Sequence, residues 1–115
     1  MTEPVIDRDV FRALQDSAGA DFVAELVATF LEELPRMTAA LRSALAAGDV
    51  DAFRRTAHSL KSNSLTFGAK GLGGMARALE LDAAGAVERG AVAPVDALAE
   101  EQDRVAAELR ELARA

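Results

Sequence analysis

Apolar residues in this chain recur at steps of three and four, segment after segment, and nowhere alternate at steps of two. Between residues 20 and 47 the series is Phe22, Val23, Leu26, Val27, Phe30, Leu31 and Leu34, then Met37, Leu41, Ala44 and Leu45. An α-helix turns once in about 3.6 residues, so that spacing lays one broad apolar stripe along a helix. A half-buried strand needs strict alternation, so the chain is restricted to helices packed on helices. Half of the residues are apolar (50%), mostly Ala, Leu and Val, and Ala and Leu are among the strongest helix formers.

Glycine and capping residues divide the pattern. A short helix is expected at about residues 7–16, with Asp7 as N-cap, Gly19 past its end, and Val10, Phe11 and Leu14 as its apolar face. Residues 1–6 before it read as a poorly ordered lead-in. The next helix covers 20–47, with Asp21 able to cap it and Gly48-Asp49 stopping it. Pro35 lacks an N–H and crowds the preceding turn, so a kink or short break is expected there. A third helix is expected at 50–66, with Asp49 or Asp51 near its start and Gly68 as its stop; Phe53, Ala57, Leu60, Ser64 and Phe67 share its inner face.

A fourth is expected at 69–89, with Leu72, Ala76, Leu79, Ala83 and Val87 inward and Gly90 closing it. Gly71, Gly73 and Gly74 cost its first turns roughly 1 kcal/mol each relative to Ala, which implies either close backbone packing or a loose start. The last helix begins near Pro94 and carries Val95, Leu98, Gln102, Val105, Leu109 and Leu112 in a coiled-coil-like seam. Gln102, the polar member, is expected near an open end or hydrogen-bonded inward. Connections are short, so consecutive helices should run antiparallel. The expected architecture is all-α: an antiparallel up-down four-helix bundle with a short extra N-terminal helix, one domain over residues 1–115.

The net charge is −6, whereas a nucleic-acid binder carries a basic stripe to neutralise phosphates. There is no cysteine, hence no disulfide and no thiolate metal site. The N-terminal "MTEPVIDRDVF" is acidic and has no apolar centre, so it does not read as a secretory signal, and no apolar run approaches a membrane span. A cytoplasmic protein is expected, without nucleic acid or membrane among its partners. The starting Met and the full complement of helices favour a stand-alone chain.

The single histidine lies in "TAHSLKSNSLTFGA", residues 56–69. With the core side of the third helix set by Phe53, Ala57, Leu60 and Ser64, His58 falls roughly 140° from Phe53, toward solvent. Arg54 and Leu65 lie beside it; Lys61 sits one turn on, nearer the core edge, and Ser62 is its other neighbour a turn away. An isolated exposed histidine is ordinarily just a surface residue. Here Arg54, Arg55 and Lys61 crowd the same face and attract an anion, while small Ser59 and Ser62 and apolar Leu65 leave a flat surface for a partner. Other chemistries lack their residues. Arg55 occupies the position that Glu holds in a Glu-x-x-His metal helix, and no other His or Cys exists. No nucleophile elbow presents Ser59 or Ser62, and "GAKGLGGMA" is neither a P-loop nor a dinucleotide fingerprint.

These residues resemble the histidine-containing phosphotransfer (HPt) domains of phosphorelays. The family pattern H-x-L-K-G-x-S, a Gly-Ala turn and then L-x-x-x-small-x-x-L-E is similar to His58, Leu60, Lys61, Ser64, Gly68, Ala69, Leu72, Ala76, Leu79 and Glu80 here. The likeness extends over about residues 20–112. One position departs, Ser62 standing where the family usually has Gly, which implies mild crowding of a docked partner and offers a hydroxyl to a phosphoryl oxygen.

The resemblance implies a phosphocarrier rather than an enzyme. His58 would take a phosphoryl group from a receiver-domain aspartate and pass it to another response regulator receiver. Lys61 and Arg54 would steady the phosphoryl charge. Arg55, Ser59, Ser62 and Leu65 would meet the docked receiver. No cofactor is implied for this chain, since Mg²⁺ belongs to the receiver. The implied partners are response regulator receivers and a (hybrid) histidine kinase, met by a monomer. Two alternatives use the same bundle: a non-catalytic adaptor that binds a receiver or kinase without being phosphorylated, and the dimerisation module of a histidine kinase. Against the first stands the retained His58 with Lys61. Against the second stand Ser59, where an acidic residue is usual, and the lack of a nearby proline.

Overall fold

The computed structural model describes residues 4–114 and contains, among them, six helices and no strand. They are α1 (Arg8–Ala18), α2 (Ala20–Ala47), α3 (Val50–Thr66), α4 (Lys70–Leu81), α5 (Ala83–Arg89) and α6 (Val92–Arg114). The punctuation works as expected at three places. The Asp7 carboxylate accepts from the N–H groups of Asp9 and Val10, and Asp49 accepts from Ala52 N–H. Gly48 ends α2 in the left-handed conformation (φ 68°), which costs glycine nothing.

Pro35 neither breaks nor ends α2, which runs unbroken through it. The proline is on the solvent side, where the carbonyl it leaves unpaired can be hydrated. Phe30, Leu34, Thr38 and Leu41, before and after it in the chain, are buried and hold the register. The expected fourth helix is divided instead at Asp82, whose backbone (φ −105°, ψ 23°) leaves the helical region. A short acidic side chain competes for local backbone groups and disfavours a helix interior. The small residues after it let α5 settle inward, with Ala83 and Ala86 buried. The last helix starts at Val92, two residues before Pro94; the proline still lies in the first turn, where an N–H has no helical partner to lose.

The expected lead-in ends differently from its description. Ile6 is 1% exposed and joins the core, anchored by Asp7 N–H donating to Gly68 O (2.8 Å). Residues 1–3 lie outside the described residues. Gly68 has φ 84°, and a Cβ there would come within 2.7 Å of Asp7 O, so both conformation and space demand glycine.

Helices α2 and α4 each pack on both α3 and α6, which closes a ring around one core. Phe53, Leu60, Leu72, Leu98 and Leu109 are fully buried in it. Each such side chain contributes roughly 1.5–3 kcal/mol by leaving water. Phe30 of α2 stacks on Phe67 at the end of α3, centroids 4.9 Å apart. Gln102 turns inward: Thr38 Oγ1 of α2 donates to its side-chain oxygen, which satisfies a hydroxyl that is 7% exposed.

Candidate functional site

Three stripes run along α3. Phe53, Ala57, Leu60 and Ser64 are buried and fix its rotation, as their spacing predicts. Ala52, Thr56, Ser59, Asn63 and Thr66 border hollows shared with α2. Arg54, His58, Lys61 and Leu65 form the third stripe, on the α4 side. The lone imidazole therefore lies at the seam between α3 and α4 with its side chain 58% exposed.

The two helices run antiparallel at this seam, since Leu65 meets Gly73 while His58 and Lys61 both meet Glu80. Gly73 is what permits the approach. A Cβ there would lie 2.8 Å from Leu65 Cδ2 and 3.7 Å from Lys61 O. Of the two sequence-based explanations for the glycines, close packing applies to Gly73, whereas Gly74 has open space where a Cβ would point.

Glu80 ties the site together. Lys61 Nζ donates to its Oε1 at 2.8 Å, and His58 Nδ1 lies 2.7 Å from its Oε2. The Lys61 hydrogen bond first, and the His58 bond second, hold the Glu80 carboxyl below the usual carboxylate range, against the opposing effect of burial. An ionised carboxylate can only accept, so the Nδ1 position must be the donor. In the neutral imidazole that leaves the lone pair on Nε2, on the ring edge turned away from Glu80. The arrangement thus presents a positioned nitrogen nucleophile at an exposed surface, with an ammonium group a turn away.

The other residues singled out by sequence are placed as follows. Lys61 is 23% exposed and committed to Glu80. Arg54 reaches back along α3 to Asp51 (3.1 Å) rather than toward the imidazole. Arg55 donates from Nε to Asp51 O (3.3 Å) and, with Ser59, borders the α2–α3 hollow. Ser62 is exposed one turn beyond His58, and its main-chain oxygen accepts from Thr66 Oγ1. Leu65 is 46% exposed and rests on Gly73. Glu80 stands in the family pattern as the residue after Leu79, but spacing on a single helix does not reveal what it does. The signal for that role is the register of α4 against α3.

Among the described residues no group of three or more His, Cys, Asp or Glu is placed to hold a metal ion. No helix among them is long and apolar enough to cross a membrane.

The family model described as the Hpt domain matches residues 25–115. Among solved structures, the chain is similar to the histidine-containing phosphotransfer protein B of Pseudomonas aeruginosa PAO1. The two are 34% identical with a TM-score of 0.74, over 98% of this chain and 94% of that one. No curated protein matches.

Proposed function

The chain belongs to the Hpt domain family and is a phosphotransfer intermediate of phosphorelay signalling, and from that premise we propose that His58 is its phosphoacceptor. The observation that carries this reading is the Glu80 bond to Nδ1, which leaves the Nε2 lone pair free at the surface. Nε2 attacks the phosphorus of an aspartyl phosphate on a receiver domain. The P–N bond forms as the P–O bond to the aspartate breaks, and the aspartate leaves as carboxylate. The imidazole becomes cationic in the step, and the Glu80 carboxylate stabilises that charge through Nδ1–H. A second receiver's aspartate then attacks the same phosphorus, and the P–N bond breaks in turn.

Phosphoryl transfer depends on positioning and charge rather than on covalent machinery, so a carrier needs little more. The catalytic aspartate, Mg²⁺ and lysine are the receiver's, and this chain needs no cofactor. Lys61 gives one N–H to Glu80, and its ammonium keeps further donors for a charge-assisted contact to the phosphoryl oxygens. Arg54 is available for the same purpose, because its exposed pair with Asp51 is worth only about 0–1 kcal/mol and does not lock it away. Ser62 and Leu65 give the docked receiver a small and an apolar footing, and Arg55 and Ser59 extend it toward α2.

Hpt domains act with response regulator receivers and histidine kinases; we read this one as a cytoplasmic monomer. We also read the ring of α2, α3, α4 with α5, and α6 as an antiparallel up-down four-helix bundle, with α1 the short extra helix. The antiparallel seam and the short turns at Gly19 and Gly48-Asp49 support that reading. The test is to incubate the chain with phosphorylated receiver domains and follow label. Wild type should acquire an acid-labile, base-stable phosphoryl group, and His58→Gln should acquire none while keeping its helical circular dichroism. A label that persists in His58→Gln would refute the assignment.

A further inference from the structure

We propose that the groove between α2 and α3 is a charge-selective seat for a carboxylate-bearing element of the receiver, with Arg36 and Arg55 as the specificity-determining residues. The inference rests on the reading of His58 as phosphoacceptor and adds which partners the site accepts. The groove is an open hollow of about 390 Å³, and its lining includes Ser59, the residue after His58 and one helical step around α3 from it. Its floor is apolar, with Met37 of α2 among its residues. Its polar residues are Glu33, Arg36, Arg55, Thr56 and Ser59.

The charges in this groove are poorly matched internally. Arg55 meets no carboxylate within ion-pair distance among the described residues, and its one hydrogen bond is to a main-chain oxygen. Arg36 approaches Glu33 only at 3.7 Å, and its side chain is 75% exposed. Two guanidinium groups thus face solvent around an apolar hollow against a single carboxylate, in a chain whose net charge is −6. The remaining pairs on the surface are closer, as with Arg42–Asp96 at 2.7 Å and Arg89–Asp82 at 2.8 Å. The occupant that fits is a surface element carrying an apolar side chain flanked by Asp or Glu. Guanidinium groups favour such carboxylates by two-pronged hydrogen bonding. Complementary charge at the rim of an interface acts on encounter and partner choice rather than on the chemical step.

The experiment uses the receiver domain that labels the wild-type chain fastest. Initial transfer rates are measured against receiver concentration at several ionic strengths, for wild type, Arg36→Glu/Arg55→Glu and Arg114→Glu, a remote charge reversal. The double reversal should raise the half-saturating receiver concentration on the order of tenfold and weaken the salt dependence, with the saturating rate retained. Arg114→Glu should leave all three unchanged. Equal half-saturation and salt slope in wild type and double reversal would overturn the proposal, as would a loss confined to the saturating rate. Self-association of wild type in gel filtration, abolished by the double reversal, would assign the groove to a second copy and also overturn it. Absence of any label on wild type would instead refute the phosphoacceptor reading, so the two failures are distinguishable.

Discussion

Toward α4, helix α3 presents Arg54, His58, Lys61 and Leu65; toward α2 it presents Thr56, Ser59, Asn63 and Thr66. On the α4 side the polar groups are joined to each other. Glu80 holds His58 with one oxygen and Lys61 with the other, and Leu65 fills the space that Gly73 leaves. On the α2 side the helices leave hollows, and Arg36 and Arg55 point their charge outward. On the reading proposed above, the difference separates two tasks on one helix. A reacting nitrogen has to be held in one tautomer and one orientation, which takes paired, partly buried groups. A surface that selects partners works by charge left unspent until the partner arrives.

Removing Glu80 is the strongest way to break this contrast. Glu80→Ala frees the imidazole and the ammonium together, and the saturating transfer rate should fall about tenfold to a hundredfold, by analogy with carboxylates that orient metal-bound imidazoles. Rapid-quench transfer measurements at saturating receiver check it, and an unchanged rate would show that the α4 flank does not position His58. The half-saturating concentration should move little, in contrast to the groove arginines.

Next in size are two neighbouring glycines. Gly73→Val forces Leu65 and the α3 backbone apart and should cost about 1–3 kcal/mol, as overpacking does. Gly74→Ala meets open space and should gain up to about 1 kcal/mol of helix propensity. Urea midpoints measure both, and a loss on Gly74→Ala would mean that the seam is not confined to Gly73.

Smallest is the acid response. The Glu80 carboxyl is held below its ordinary range, chiefly by Lys61. Its contribution to stability is therefore complete above the ordinary carboxylate pKa, about 4.3, and is lost as pH falls through the depressed folded value. Asp7, depressed chiefly by Lys70, behaves in the same sense. Stability measured against pH should fall less steeply on acidification in Glu80→Gln than in wild type; parallel curves would remove Glu80 from the balance.

Much of this was readable along the chain. The end of α2 and the start of α3 follow from Gly48 and Asp49, because backbone conformation and capping are local, whereas α2 starts after Gly19 without the side-chain cap expected of Asp21. The rotation of α3, and with it the exposure of His58, follows from Phe53, Ala57, Leu60 and Ser64, because burial repeats with the helical turn. What escaped depends on contacts between helices. The division at Asp82 is hidden because Leu79, Ala83 and Val87 continue the periodic pattern through it. Pro35 signals a break that the burial of Phe30, Leu34, Thr38 and Leu41 around it overrides. Arg54 shares a face with His58, yet its length lets it turn to Asp51, which helical spacing does not decide. Glu80 stands in the family pattern, but its role depends on the register of α4 against α3, which no single-helix argument supplies.

The central claim, that Glu80 fixes His58 so that Nε2 meets phosphorus, is open to one direct observation. The chain has a single histidine, so its imidazole nitrogens give one unambiguous set of signals in a long-range ¹⁵N–¹H correlation spectrum. Recorded at a pH where the ring is neutral, and again after transfer from a phosphorylated receiver, the spectra should show Nδ1 protonated and Nε2 bare, then Nε2 phosphorylated with Nδ1 still protonated. A bare Nδ1 in the resting chain, or a phosphoryl group on Nδ1, would contradict the account.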